Sequence, residues 1–185
     1  MIVREAMRLW SPAFALLLAT GCASAGPYGY SRTYAPLSAE EDAAEGAHEY
    51  DPVMAERDHA EWKKRKVSVF GIVNKRAEGP GGMAYLTLSV RTLEIRNLCE
   101  ALDEQTCRVT VGEHEFAIVH ARVKLTPGDD IGEKSVNRGS LVRIIGKLTD
   151  DVDPDDGTPV FKADFYRHWP RNYFVTTASR PDMTM

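Results

Sequence analysis

The chain has 185 residues, with 23 basic and 27 acidic side chains and a formal net charge of −4 at pH 7. A mildly acidic chain has no overall attraction for nucleic acid or for an anionic membrane, so such binding would need a local patch. With a leader and a linker set aside, the length leaves room for one domain of about 110 to 130 residues with a single core.

The first two dozen residues predict export. Arg4 and Arg8 precede an apolar run over residues 13–19, which ends at Thr20-Gly21-Cys22. The run is far shorter than the ~20 residues that cross a bilayer, so a retained transmembrane anchor is disfavoured. Residues 16–22 resemble the lipobox of bacterial lipoproteins, although Ala19 stands where leucine is commonest. An ordinary secretory signal, cleaved after Ala23-Ser24-Ala25, is the alternative.

The lipobox resemblance implies a signal peptide over residues 1–21 and a lipid on Cys22 that attaches the protein to the bilayer. It implies location in the bacterial cell envelope, and Ala23 after the cysteine favours the periplasmic face of the outer membrane. Envelope proteins or cell-wall glycan are the expected partners, and nucleic acid is not expected.

The other two cysteines, Cys99 and Cys107, form an even pair once Cys22 is assigned to the lipid. A disulfide persists in an oxidising compartment, so the two are predicted to be bonded. Two free thiols or a metal-binding pair are the alternatives, but no Cys or His cluster of zinc spacing lies nearby.

Composition then predicts a flexible tether over residues 22–50, rich in Ala, Gly, Pro, Ser and Glu. Ser38-Ala39-Glu40-Glu41 has capping-box spacing, which allows a brief helix. Asp51-Pro52 is typical of a helix start, and a helix over residues 51–65 is predicted.

The remaining chain alternates apolar and polar residues, as half-buried strands do. We expect a β domain over residues 66–175 and a flexible tail over residues 176–185. The predicted strands cover residues 67–75, 83–95, 107–111, 116–123, 140–148 and 159–169, with the third strand broken near Gly112. The fold class is therefore all-β, preceded by one helix and the tether.

Two strands carry an internal glycine, Gly71 and Gly146, where a coiled sheet can bend. Residues 67–73 and 139–148 resemble the first and fourth strands of OB-fold proteins, and residues 159–165 resemble the fifth. This resemblance implies a small five-stranded barrel. The region of Cys99 and Cys107 has no counterpart in it, and another small barrel or an immunoglobulin-like sandwich remains open.

An acidic turn, residues 150–157, contains Asp151, Asp153 and Asp155 at the alternate spacing that Ca²⁺ ligands use. The turn departs from an EF-hand, because Asp156 and Lys162 stand where glycine and glutamate are needed. A solvated hairpin loop is the alternative.

Aromatic and basic residues interleave at the end of the last strand and just beyond it, including Arg167, Trp169, Arg171 and Tyr173. Such residues stack on sugars or single-stranded polymers in OB folds, or else they simply close a barrel.

The five histidines do not suggest zinc, and no hydrolase, metalloprotease or phosphate-loop motif occurs. The prediction is a non-enzymatic envelope lipoprotein without a cofactor that binds or scaffolds; ligand binding by the turn or the aromatic residues is the alternative.

Overall fold

The computed structural model describes residue 28, residues 31–99 and residues 107–182. The predicted signal peptide and Cys22 lie outside these residues. The described chain is mostly β, as predicted, with short helices before the main sheet.

Residues 31–50, predicted to be part of a tether, are packed in the structure. They contain α1 (Ser38–Ala44) and the short strand β1 (His48–Glu49), which pairs in parallel with the next strand. Glu40 of α1 is completely buried. The tether prediction is wrong for this stretch, because α1 is fixed by contacts with residues more than a hundred positions later.

The predicted helix over residues 51–65 is two short helices, α2 (Pro52–Arg57) and α3 (His59–Trp62). Asp51 caps α2 as predicted, since its carboxylate accepts a hydrogen bond from Met54 N at 3.0 Å. Asp58 then leaves the helical conformation at φ −139° and caps α3 through Glu61 N. A second cap in mid-helix explains the break.

In the described part of the chain nine strands form two sheets, not the five strands predicted. The larger sheet adds to β1 the strands β2 (Val67–Glu78), β3 (Ala84–Arg91), β6 (Ile118–Val123), β7 (Leu141–Val152) and β8 (Pro159–Trp169). The smaller sheet contains β4 (Leu93–Glu94), β5 (Val109–Val111) and β9 (Phe174–Thr176). A short helix, α4 (Pro127–Asp130), lies between β6 and β7. The extra strands are two or three residues long, too short for an alternation pattern to reveal.

Five strands of the larger sheet pair in a closed circuit, in the order β2, β3, β6, β8, β7 and back to β2. All neighbours are antiparallel except β6 and β8, which are parallel. Gly146 permits close approach of β8, since a Cβ there would lie 2.0 Å from Lys162 O. A side chain at this position would therefore force β7 and β8 apart.

Two apolar clusters fill the domain. The larger lies among the circuit strands and includes Leu86, Leu88, Ile144 and Phe161. The smaller joins β2, β7 and β8 to the second sheet through Phe70, Val109, Val111, Leu141 and Trp169.

The predicted disulfide between Cys99 and Cys107 is present, with Cα atoms 4.8 Å apart. Both cysteines are buried, and Cys107 directly precedes the strand region of the second sheet.

Candidate functional site

A groove of about 410 Å³ lies beside β8, between the segment that leads into α4 and the N-terminal residues Tyr28 and Leu37. Aromatic rings and charged groups face it together, chiefly from Tyr28, Lys124, Asp129, Asp164, Tyr166 and His168. Small-molecule sites usually combine apolar walls with a few converging polar groups. We refer to this feature as the β8 groove.

Asp129 organises the polar side of the β8 groove. Its Oδ2 accepts hydrogen bonds from Thr126 Oγ1 at 2.9 Å and from the Tyr166 hydroxyl at 2.6 Å. Its Oδ1 lies 3.1 Å from Nδ1 of His168, which is buried. The Tyr166 hydroxyl in turn accepts from Thr126 N at 2.8 Å. These hydrogen bonds hold the carboxylate of Asp129, a residue of α4, against β8.

Burial lowers the pKa of His168, although the Asp129 carboxylate opposes this change. Burial and the hydrogen bond to Asp129 raise the pKa of Tyr166. His168 is accordingly neutral at pH 7. Among the described residues, no serine, threonine or cysteine is hydrogen-bonded to His168.

Two of the predicted ligand-binding residues are buried. Trp169 has no exposed surface and Arg167 is only 5% exposed. The Arg167 guanidinium carbon lies 4.5 Å from the centre of the Trp169 ring, and its Nη1 donates to Ala35 O at 3.0 Å. As the structure stands, neither side chain presents a face on which a ligand could stack.

Arg167 belongs to a buried ionic group that we call the Glu40 cluster, formed by Glu40, Tyr34, Arg143 and Arg167. The Glu40 carboxylate accepts 2.6 Å hydrogen bonds from Arg143 and Arg167 and another from the Tyr34 hydroxyl. Burial raises the pKa of Glu40, but these hydrogen bonds outweigh it and hold the pKa below its usual value. The cluster fastens α1 to β7 and β8.

Of the other two predicted ligand-binding residues, Arg171 is exposed and Tyr173 is half-buried against the smaller apolar cluster. The ring of Tyr173 lies 4.6 Å from that of Tyr28, and Lys134 Nζ lies 5.3 Å from both ring centres. Arg171 is exposed and lies against Gly139, where a Cβ would be 3.4 Å from its Cδ. These groups form a basic and aromatic surface beside the groove.

The predicted calcium ligands do not converge. Asp151 pairs with Arg122 at 2.6 Å, and Asp153 accepts from the Tyr85 hydroxyl at 2.7 Å. Asp155 is exposed, and its backbone N donates to Asp153. The side chains of Asp151 and Asp153 thus contact neighbouring strands, while most of the turn is exposed, and Ca²⁺ binding stays a prediction.

His120 is the centre of this arrangement. It is buried on β6, with Nδ1 3.5 Å from Asp153 Oδ2 and Nε2 3.1 Å from Asp156 Oδ2. The ligand atoms of these residues lie within 4.8 Å of one another. The two carboxylates face opposite ring nitrogens, so each of them contacts a different side of the His120 ring. The acidic turn is fastened to the outer face of β3 and β6 by His120 and Tyr85.

Sequence reasoning missed Asp129 and Glu40. A local signal existed for Asp129, since Thr126 and Asp129 have the spacing of a capping pair. No local signal existed for Glu40, whose arginine partners lie 103 and 127 residues away. Cys22, the predicted lipidation site, lies outside the described residues. None of the helices in the described ranges is long and apolar enough to cross a membrane.

Comparison with known proteins assigns no family. No protein-family model matches the chain, and no curated protein matches it. The wild-type single-stranded DNA binding protein from Thermus aquaticus is similar in structure, with 18% identity and a TM-score of 0.28 over 57% of this chain and 50% of that protein. A deletion mutant of the same protein has 15% identity, the same TM-score and the same coverage. The chain thus matches about half the length of that protein, and a TM-score this low carries no argument.

Proposed function

We propose that this protein is an exported envelope lipoprotein whose β domain binds or scaffolds a partner without catalysing a reaction. The observation that carries the proposal is the disulfide between Cys99 and Cys107. Such bonds persist outside the reducing cytosol. This disulfide also uses both cysteines of the domain, so Cys22 in the lipobox-like segment is the one remaining cysteine of the sequence.

We infer that the closed circuit of five strands is an OB-like barrel to which β1 and the second sheet are added. The strand order and the single parallel pair support this assignment, as do the close approaches at Gly71 and Gly146. A closed barrel leaves few exposed sheet edges and gives a rigid support for surface loops. A support of this kind suits a binding or scaffolding role.

Intact-mass spectrometry of the protein purified from its native membrane tests the proposal. We expect a mass that lacks residues 1–21, carries acyl groups on Cys22 and rises by two hydrogens on reduction. A Cys22→Ser chain is the matched control and should carry no lipid. Full-length, unmodified chain in a cytosolic fraction would contradict both export and anchoring.

The β8 groove supports a second candidate function, binding of a polyhydroxylated ligand such as cell-wall glycan. Hydroxyl groups pair well with carboxylates such as Asp129 and Asp164, and sugar rings pack on aromatic faces such as Tyr166. Asp129 is already oriented by three neighbours, while Asp164 is exposed and can change without loss of a buried contact.

Titration with N-acetylglucosamine oligomers tests this candidate. We expect Asp164→Ala to weaken binding and Asp155→Ala, an exposed aspartate outside the groove, to leave it unchanged. Equal binding by the two variants would argue against the groove. Substitution of Arg167 or Trp169 is a poor test, because both are buried and their loss would disturb the fold.

A further inference from the structure

We propose that a patch formed by Tyr28, Ile131, Lys134, Arg138, Arg171 and Tyr173 faces an anionic phospholipid surface. This inference rests on the proposed lipid anchor at Cys22. It goes beyond that proposal by stating which side of the domain faces the bilayer. We call these residues the Tyr28 patch.

The Tyr28 patch lies close along the chain to the proposed anchor at Cys22. Tyr28 follows Cys22 by only six residues, and its ring packs against Tyr173. An extended chain spans at most ~3.6 Å per residue, so the Cα atom of Tyr28 lies within about 22 Å of the Cα atom of Cys22. The anchor therefore holds the Tyr28 side of the domain near the headgroups, whereas a flexible tether to residue 50 would have left all sides equally free.

The Tyr28 patch carries a local positive charge. Lys134, Arg138 and Arg171 are all exposed, and Lys134 Nζ sits 5.3 Å from the centres of both tyrosine rings. Glu133 is the exposed acid in the same loop, while Asp130 is paired with Arg76. The patch is thus cationic although the chain as a whole is acidic. Anionic headgroups attract such local clusters.

The Tyr28 patch also contains apolar and aromatic side chains. Ile131 is 81% exposed, which is unusual for a large apolar side chain and unexplained by any packing role. Tyrosines beside lysine or arginine are enriched at membrane–water interfaces, because the ring is amphipathic and the cation reaches the phosphates. Together the six residues combine one apolar tip, two interfacial rings and three cations.

The experiment compares vesicle binding by two charge variants of the full Cys22→Ser chain, which cannot be acylated at that position. Lys134→Gln/Arg171→Gln removes two cations from the patch. Lys147→Gln/Lys162→Gln removes two exposed cations from the paired strands β7 and β8 and is the matched control. Phosphatidylcholine vesicles with and without phosphatidylglycerol are the probes, and a thermal melt verifies that each variant is folded.

Each cation near an anionic surface contributes roughly five-fold in partitioning at low salt, so the patch variant should bind phosphatidylglycerol vesicles about thirty-fold more weakly than its parent. The control should retain binding, and salt should abolish the difference. Equal binding by the two variants, or binding that is the same with and without phosphatidylglycerol, would overturn the inference. Since this chain has no lipid, the vesicle result is independent of the mass measurement, so failure of the patch can be told apart from failure of the anchor.

Discussion

Two carboxylate networks hold this domain together, and they differ in burial. In the Glu40 cluster one carboxylate with no exposed surface satisfies two arginines and a tyrosine. In the acidic turn Asp150, Asp151 and Asp156 are exposed and contact Lys63, Arg122 and His120, and Asp153 alone among these aspartates is buried, against Tyr85 and His120. Breaking the first network leaves a buried arginine without its carboxylate, whereas most contacts of the turn involve exposed carboxylates that solvent can screen. Burial, not the number of ion pairs, therefore sets what each network contributes.

The largest expected effect is that of Glu40→Gln. Glutamine offers one neutral amide oxygen in place of two charged carboxylate oxygens, so Arg167, only 5% exposed, would lose its charged acceptor or Arg143 and Tyr34 would lose theirs. Loss of one partner of a buried ion pair costs about 3–5 kcal/mol. Urea unfolding measures the loss, and Glu41→Gln, at an exposed position of the same helix, is the control. Similar stability of the two variants would mean that the cluster is hydrated in solution.

A double-mutant cycle measures the interaction energy between Glu40 and Arg167. Arg167→Met should destabilise because it leaves Glu40 buried with fewer donors, yet Glu40→Gln/Arg167→Met should cost less than the sum of the single variants. Contacting charges couple by about 0.5–3 kcal/mol. Chemical denaturation of the four proteins gives the coupling, and strict additivity would show that the two side chains do not interact.

Acid should weaken the domain through Glu40. Its pKa is held below the ordinary value of 4.5, so its contribution is complete above pH 4.5 and is lost as the pH falls through the folded-state pKa. The pKa values of Asp153 and Asp156 are also lowered, that of Asp156 to about 2, so they act in the same direction. We expect the slope of stability against pH below 4.5 to be shallower in Glu40→Gln. An unchanged slope would assign the acid sensitivity to the turn.

The smallest effect is expected in the acidic turn. Asp153 is buried, but its replacement by asparagine keeps an oxygen that can accept from the Tyr85 hydroxyl, and His120 keeps its contact with the exposed Asp156. The loss in melting temperature on Asp153→Asn should therefore be smaller than that of Glu40→Gln, which removes the charge shared by two arginines. Asp155→Asn, whose exposed side chain has no such contact, should be neutral. A loss as large as that of Glu40→Gln would show that the charge of Asp153 contributes as much as that of Glu40.

Much of the β domain follows from local pattern. Alternation placed the strands at residues 67–75 and 159–169 close to the observed β2 and β8, because side-chain direction repeats every two residues. The cap at Asp51 followed from Pro52 beside it. The candidate ligand residues fared less well, since sequence cannot tell an aromatic residue that closes a core, such as Trp169, from one that binds a ligand.

Local pattern and residue counts were enough to predict the long strands and the pairing of Cys99 with Cys107, and they are the basis on which export is expected. The packing of residues 31–50, the contact of Arg167 with Glu40 and the position of the acidic turn over His120 became known from the folded structure alone. Those contacts join residues far apart in the chain, and they form only when β7 and β8 close the circuit with β2 and β6.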